Sequence, residues 1–288
     1  MKALYDVPAP AKLNLFLHIT GRRADGYHLL QSVFMLVDWC DTLHFEMRSD
    51  GGISREDSGI ELPQIDLVVR AARALQQAGG CSAGVHVRLE KRIPLQAGMG
   101  GGSSDAATCL LALNRLWDLG LPLARLEQIG LGLGSDIPFF LRGRNAWVEG
   151  VGEDIRPIDI PRASFAVVKP HEGLDTSLIF GDAGLERDSA PAIISGFAAR
   201  QDGSFPFGFG HNDLQPVAQR LCPAVTQALR WLGDQGLQAR MTGSGSAVFA
   251  RMTQEKSLLP APAGWQVREC ANVAVHPLMG WAFRDSFG

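Results

Sequence analysis

The chain lacks the spacings by which cysteine and histidine usually reveal a disulfide framework or a metal centre. Its five cysteines are widely separated and include no C-x-x-C pair, and its seven histidines include no H-E-x-x-H motif. Disulfide scaffolds and zinc sites both depend on such closely spaced residues. We therefore expect reduced thiols in a cytoplasmic protein, with no metal cage formed by the protein alone.

A strong charge of one sign and a long hydrophobic run are also missing. The 27 basic and 30 acidic residues give a net charge of −3, so the basic surface expected of a nucleic-acid-binding protein is absent. Apolar runs such as Val33 to Val37 are far shorter than the roughly 20 residues of a membrane-spanning helix. Residues 1–6 lack the apolar core of a signal peptide. We expect no nucleic-acid partner and no membrane span.

What the sequence does contain is a glycine-rich loop at residues 94–105. Residues 85–90 before it alternate apolar and polar side chains, which predicts a half-buried strand. After it, apolar residues recur at helical spacing up to Trp117. The order is therefore strand, loop and helix, and Ser103 or Ser104 is a suitable N-cap because a serine oxygen accepts a first-turn N–H.

The backbone of this loop suits an anion. Four of the five residues from Gly98 to Gly102 are glycine, so few side chains block approach to the N–H groups and to the positive end of the helix dipole. A Walker A loop is excluded because no Gly-Lys pair occurs, and a dinucleotide fingerprint would need glycine where Ser103 or Asp105 stands. A phosphate site of another type and a plain turn without a ligand both remain open.

The segment Pro94-x-x-x-Gly98-Met99-Gly100-Gly101-Gly102-Ser103-Ser104 resembles the ATP loop of the GHMP kinases. The resemblance implies that ATP binds here with Mg²⁺ bridging its phosphates, and that Ser104 is a candidate metal ligand. Asp105 would lie close to phosphate, at a cost that the metal could offset. The residues assigned to ATP are Pro94, Gly98, Met99, Gly100, Gly101, Gly102, Ser103 and Ser104.

A lysine and an asparagine occur together on one face of the strand predicted at residues 11–19. From position alone, Lys12 and Asn14 could lie on the solvated face of an edge strand. However, residues 10–15 (Pro-Ala-Lys-Leu-Asn-Leu) match the N-terminal motif of the GHMP kinases. The resemblance implies that Lys12 lies at the phosphoryl-transfer site and that Asn14 contacts the substrate.

Asp136 follows a small-residue turn and precedes an apolar run that contains proline. It could cap a helix, because aspartate is favoured at that position. It also matches the Gly-x-Asp-x-Pro motif of the same kinases, which implies that it is the catalytic base. Lys12 would then keep Asp136 ionised and stabilise charge at the γ-phosphate.

Residues 25–30 (Asp-Gly-Tyr-His-Leu-Leu) resemble one branch of the family, in which the acceptor carries a cytosine ring. The resemblance implies that Tyr27 stacks on the ring, that His28 bonds to its edge, that Phe180 covers the other face and that Thr176 contacts the substrate. From position alone, Tyr27 could pack on strand neighbours, His28 could face solvent and Phe180 could belong to the core.

Further elements follow from periodicity and turn signals. Residues 48–60 are expected to be a loop and residues 181–210 a loop with a weak helix. Residues 240–250 are predicted to form strand, glycine turn and strand, which matches a third family motif or a plain hairpin. Asp66 stands where the family usually has asparagine, so the adenine contacts stay open. The other predicted strands are 32–37, 41–47, 145–149 and 165–169. The predicted helices are 65–77, 123–131, 224–232, one starting near Ser104 and one opening at His211 with Asn212 as N-cap.

Together the motifs imply an α+β protein with the two-domain GHMP kinase fold. Residues 1–158 would form the β-α ATP-binding domain and residues 159–288 a ferredoxin-like domain whose last strand returns to the first. The implied reaction is transfer of phosphate from ATP to the 2-hydroxyl of a cytidine diphosphate-linked sugar alcohol, in non-mevalonate isoprenoid synthesis. A mevalonate or homoserine kinase and a non-catalytic nucleotide-binding regulator remain as alternatives, and the protein could be a monomer or a homodimer.

Overall fold

The computed structural model describes residues 2–60, 62–194, 206–252 and 257–282. The first of its two sheets consists of the strands β1 (Ala3–Arg22), β2 (His28–Arg48), β3 (Ile53–Ser58), β4 (Gly84–Glu90), β5 (Ala146–Gly150) and β6 (Asp154–Pro157). The sheet is built around the long strand β2, which pairs with β1, β4 and β5, and β3 and β6 lie at its edges.

The strand β2 organises this sheet because different parts of it pair with different neighbours. The strand β1 runs antiparallel along it, β5 pairs with residues 30–34 and β4 pairs with residues 42–48. The separate strands predicted at 32–37 and 41–47 are therefore one strand, because pairing with β1 continues through Cys40. The prediction that residues 48–60 form a loop is also wrong, because residues 53–58 pair in parallel with β4 and form a polar edge strand.

Four helices belong to this half of the described chain: α1 (Leu67–Ala78), α2 (Gly101–Leu116), α3 (Leu123–Leu131) and α4 (Ile137–Arg142). The helix α1, predicted from residue 65, begins at Leu67 because Asp66 is its N-cap and Asp66 Oδ1 accepts a hydrogen bond from Val69 N at 3.0 Å. Its apolar residues from Val68 to Leu75 recur at helical spacing and are buried against α2 and the sheet. This packing fixes where α2, and with it the glycine loop, begins.

The second sheet consists of the strands β7 (Ser164–Lys169), β8 (Ala239–Met241), β9 (Val248–Met252) and β10 (Gln266–Ala271). It is antiparallel, with the order β10-β7-β9-β8 that is typical of a ferredoxin-like domain. The α+β fold predicted from the sequence is thereby confirmed. The remaining helices of the described chain are α5 (Thr176–Gly181), α6 (Gln215–Leu221) and α7 (Pro223–Gly233).

Asn212 does not cap a helix that opens at His211, as the sequence suggested. The helix α6 begins four residues after His211, at Gln215. Asn212 instead donates hydrogen bonds to Met241 O at 2.9 Å and Gly243 O at 2.8 Å, and its Oδ1 accepts one from Leu214 N. The amide therefore joins the start of α6 to the end of β8. The loop predicted at 181–210 lies partly outside the described residues.

The two sheets pack on each other through a shared apolar cluster. Phe16 and Trp147 of the first sheet have ring centroids 5.3 Å apart and belong to one cluster with Phe165 and Phe249 of the second. After β10, the chain contacts the first sheet again, where Val273 N donates to Leu36 O at 2.9 Å. In the described parts of the chain, no helix has both the length and the apolar character needed to span a membrane.

Candidate active site

The glycine loop opens directly onto the N-terminus of α2. Gly100 is the N-cap, with φ 69°, and no side chain caps the helix. The prediction that Ser103 or Ser104 is the cap was wrong, because the chain already turns into the helix at Gly101. The first-turn N–H groups have no acceptor within the helix. Gly101, Gly102 and Ser103 line the adjoining cavity, so this end of α2 can receive an anion.

Ser104 points away from this cavity. Its side chain is fully buried, and its Oγ donates a hydrogen bond to Pro10 O at 2.7 Å. Ser104 is not among the residues that line the cavity. The hydroxyl therefore joins α2 to β1, and the structure gives no support to Ser104 as a metal ligand.

The glycine turn between β8 and β9 packs against the glycine loop. Ser246 N donates to Gln96 O at 3.0 Å, and Ala247 N donates to Ala97 O at 3.3 Å. A Cβ added at Gly98, where φ is +70°, would lie 2.2 Å from Thr242 O. The β8–β9 pair is thus an antiparallel hairpin that also supports the loop, and the close approach of two backbones explains the glycine.

Lys12 and Asn14 are buried side by side in β1. Lys12 is 4% exposed, so its placement on the solvated face of an edge strand is wrong. Its Nζ donates to Asn14 Oδ1, and Asn14 Nδ2 donates to Ser32 Oγ at 2.8 Å. Burial lowers the pKa of Lys12, and the charge of Asp136 opposes that shift. A lysine held in this way needs a negative partner in the cavity.

Asp136 is that partner. Its Oδ2 lies 3.7 Å from Lys12 Nζ, and its side chain is partly exposed to the cavity. Asp136 precedes α4, but its side chain makes no capping hydrogen bond, so the capping interpretation is wrong for the carboxylate. A cation and a carboxylate therefore face the same space beside the glycine loop, although 124 residues separate them in the sequence (136 − 12).

A buried ion cluster lies at the foot of the loop and was not predicted. Lys91 Nζ donates to Asp105 Oδ2 at 2.7 Å and to Asp41 Oδ2, and Asp41 Oδ1 accepts from Ile93 N at 2.7 Å. Burial raises the pKa of Asp105, Lys91 opposes the shift and Asp41 adds to it. Lys91 therefore compensates the charge of Asp105, a role that the sequence analysis gave to the metal. In the sequence, the features that indicate this cluster are a lysine next to the loop, Lys91, and an aspartate inside an apolar helix, Asp105.

The other end of the cavity carries the aromatic residues. Tyr27 is 65% exposed, so it does not pack on strand neighbours. The rings of His28 and Phe180 lie 5.1 Å apart at 37°. Thr176 Oγ1 lies 2.6 Å from Ser244 Oγ in the turn that supports the loop. Sequence reasoning missed Arg187, whose Nε donates to His28 Nε2 at 3.0 Å, because this stretch carries no motif.

Most of the predicted site residues line one cavity of about 640 Å³, a size typical of sites for small molecules. Ser104, Tyr27 and His28 are not in its lining, but the His28 ring lies against Phe180, which is. The predicted residues that line it are Lys12, Asn14, Pro94, Gly98, Met99, Gly100, Gly101, Gly102, Ser103, Asp136, Thr176 and Phe180.

The fold and the loop are those of a GHMP kinase, a class of ATP-dependent small-molecule kinases. The family model for the GHMP kinases N terminal domain matches residues 66–144, and the model for the GHMP kinases C terminal matches residues 205–258. Within this class, the chain belongs to the 4-diphosphocytidyl-2-C-methyl-D-erythritol kinase family. It is 68% identical to the member from Variovorax paradoxus and 67% identical to that from Albidiferax ferrireducens. The matches cover 98% and 99% of this chain and 100% and 98% of those relatives.

Solved structures agree with this assignment. A crystal structure of 4-(cytidine 5'-diphospho)-2C-methyl-D-erythritol kinase superposes with a TM-score of 0.72 at 34% identity, over 85% of this chain and 88% of that one. The mevalonate kinase of Methanococcus jannaschii superposes with a TM-score of 0.67 at 14% identity, over 94% of this chain and 98% of that one. At such low identity, the second likeness concerns the fold alone.

Proposed function

We propose that this protein transfers the γ-phosphoryl group of ATP to the 2-hydroxyl of 4-diphosphocytidyl-2-C-methyl-D-erythritol and forms the 2-phosphate and ADP. The observation that carries the proposal is the Lys12–Asp136 pair, 3.7 Å apart, in a cavity that the glycine loop also lines. Phosphoryl transfer needs positioning and positive charge more than covalent help, and the cavity offers both. The product belongs to non-mevalonate isoprenoid synthesis, and we expect the enzyme to work in the cytoplasm.

Asp136 accepts the proton of the acceptor hydroxyl, and Lys12 stabilises the charge that develops on the transferring group. The carboxylate lies at the cavity surface, where an alcohol can reach it. Lys12 is fixed from behind by Asn14, so its ammonium does not need to reorganise when charge develops. This arrangement supports Asp136 as general base and Lys12 as the electrostatic partner.

The glycine loop and the start of α2 hold the triphosphate. The N–H groups of Gly101, Gly102 and Ser103 are free of intrahelical acceptors, and the helix dipole adds positive potential there. Mg²⁺ fits this site if phosphate oxygens and water supply most of its ligands, as the ion prefers. Ser103 and Asp136 are among the cavity residues whose side-chain oxygens could complete its coordination. The bound ion would neutralise charge on the phosphates.

The aromatic end of the cavity receives the cytosine. Tyr27 and Phe180 offer ring faces for stacking, worth about 1–3 kcal/mol per base, and His28 lies beside Phe180. Thr176 and Asn14 also line the cavity, and we assign them to contacts with the rest of the substrate.

The partners we propose are small molecules alone, with the protein acting as a monomer or a homodimer. We place the domain boundary between residues 158 and 159. It falls between β6 at the edge of the first sheet and β7 inside the second. A mevalonate or homoserine kinase would not need Tyr27, His28 and Phe180. A regulator without activity would not need to keep Lys12 and Asp136 paired.

The test is ADP release by the purified protein with ATP and Mg²⁺, using 4-diphosphocytidyl-2-C-methyl-D-erythritol, mevalonate and homoserine in parallel. We expect turnover on the cytidyl substrate alone. Asp136→Asn should lower kcat by about 10²- to 10⁴-fold, the usual contribution of a general base, with little change in the KM for ATP.

Asp159→Asn is the matched control, because this aspartate is exposed and does not line the cavity. It should leave kcat and KM unchanged. Turnover on mevalonate or homoserine would overturn the substrate assignment. Near-normal turnover of Asp136→Asn would overturn the assignment of the base.

A further inference from the structure

A single guanidinium joins the two elements that form the aromatic end of the cavity. Arg187 Nε donates to His28 Nε2 at 3.0 Å, at the start of β2. The same group donates to Phe180 O at 3.2 Å, Asp182 O at 2.7 Å and Leu185 O at 2.9 Å, around the end of α5. The positions of the His28 and Phe180 rings thus depend on one side chain.

The contact with Arg187 determines which nitrogen of His28 carries the proton. A guanidinium has donors only, so His28 Nε2 must accept through its lone pair. The neutral ring then carries its hydrogen on Nδ1. A doubly protonated ring would set an N–H against the N–H of Arg187. Burial, the charge of Arg187 and the charge of Arg22 at the end of β1 all lower the pKa of His28.

We infer that Arg187 is a positioning residue for the pyrimidine ring of the substrate. It holds His28 neutral, with Nδ1–H as a donor, and it fixes the end of α5 that carries Phe180. Cytosine has acceptors at O2 and N3, so a fixed donor selects the orientation in which one of them faces His28. The inference rests on the proposed function, because it takes the cytidine group as the occupant of this end.

The stretch that carries Arg187 has other anchors, so loss of Arg187 need not detach it. Ser189 Oγ donates to Asp213 Oδ2 at 2.7 Å, and Ala192 N donates to Gln31 Oε1 at 2.7 Å. Arg220 Nη2 donates to Asp182 Oδ1 at 2.5 Å. The last contact provides a matched control, because it holds the same stretch without touching His28.

The experiment compares the wild-type protein with Arg187→Met, Arg187→Lys and Arg220→Gln. The first readout is the ¹⁵N NMR spectrum of the His28 ring without substrate. The second is kcat and KM for 4-diphosphocytidyl-2-C-methyl-D-erythritol between pH 6 and pH 8. In the wild type, we expect the proton on Nδ1 and a KM for the cytidyl substrate that does not vary with pH.

In Arg187→Met, the KM should rise by about tenfold, the effect of one lost charge-assisted hydrogen bond, while kcat stays within about twofold. The pKa of His28 should return towards its ordinary value of about 6.5, so this KM should rise further as the pH falls below that value. The KM of Arg187→Lys should lie between those of the wild type and Arg187→Met, because lysine keeps the positive charge but lacks the forked donors of arginine. Arg220→Gln should match the wild type.

A wild-type His28 protonated on Nε2 would overturn the inference. So would a KM of Arg187→Met within about twofold of the wild type, or an equal rise in Arg220→Gln. Absence of wild-type turnover on the cytidyl substrate would instead refute the proposed function. The tautomer of His28 is measured without substrate, so this readout would still test whether Arg187 holds His28 neutral with its proton on Nδ1.

Discussion

Lys91 places a positive charge between two carboxylates in a nearly closed space. Asp41 and Asp105 approach it from β2 and α2, and all three side chains are buried. Such a cluster contributes little net stability as a whole, because each charge has lost its water. Removing one member, however, leaves the others uncompensated. At the scale of the residue, the glycine loop therefore depends on a charge balance at its base.

Lys91→Met should lower the free energy of unfolding by about 3–5 kcal/mol, because Asp41 and Asp105 would be buried without a cation. Asp105→Asn should cost less than about 2 kcal/mol, because burial raises the pKa of that carboxyl and the amide removes the charge that burial penalises. Denaturant unfolding monitored by circular dichroism measures both. Lys2→Met, at an exposed lysine, is the control. Equal losses in Lys91→Met and Lys2→Met would contradict the prediction.

At the scale of the element, the glycine loop is held by the hairpin of β8 and β9. Gly98 and Gly243 bring two backbones so close that a Cβ on either would lie within 2.6 Å of a carbonyl oxygen. Hydrogen bonds from residues 246 and 247 to residues 96 and 97 complete the contact. The hairpin thus fixes the geometry of a loop that belongs to the other sheet's half of the chain.

Gly98→Ala should raise the KM for ATP at least about tenfold and lower Tm, because the new Cβ would force the loop and the hairpin apart. Gly120→Ala is the control that introduces backbone strain without a steric clash, because Gly120 has φ +61° and no atom lies within 4 Å of the added Cβ. It should cost only the conformational penalty of about 1–2 kcal/mol and leave the KM unchanged. Steady-state kinetics and thermal unfolding check both, and equal behaviour of the two variants would show the clash to be unimportant.

At the scale of the whole molecule, the segment after β10 crosses from the second sheet to the first. Val273 N donates to Leu36 O, and His276 N donates to Gly143 O, both at 2.9 Å. The His276 ring is buried there, with Nδ1 accepting from Leu278 N at 3.0 Å. Burial lowers the pKa of His276 to about 4, so the folded protein holds it neutral.

The free energy of unfolding should therefore decrease as the pH is lowered from about 6.5 to about 4. In that range the unfolded chain gains a proton on His276 and the folded protein does not. The loss from this residue should approach about 3 kcal/mol. His276→Asn keeps an acceptor for Leu278 N and should flatten the pH dependence of the free energy of unfolding. His171→Asn, at an exposed histidine, should not. A slope unchanged in His276→Asn would refute the assignment.

Short-range patterns predicted the elements that depend on neighbouring residues. The helix α3 has the predicted bounds, and α1 begins two residues after its predicted start at residue 65. The strand, glycine loop and helix also follow in the predicted order. Patterns failed where pairing with a distant strand decided the outcome. The strand β2 continues through Cys40 because β1 pairs with it there, and residues 53–58 form a strand because β4 offers an edge.

By itself, the sequence determined the class of loop, the motif residues and part of the cavity lining, because glycine content, periodicity and resemblance are properties of short segments. Only the tertiary structure decided which charges are balanced and which rings are oriented. Lys91 meets Asp41 across 50 residues, and Arg187 meets His28 across 159. Those contacts arise from the register of the sheets and the packing of one sheet on the other, and no local pattern encodes either.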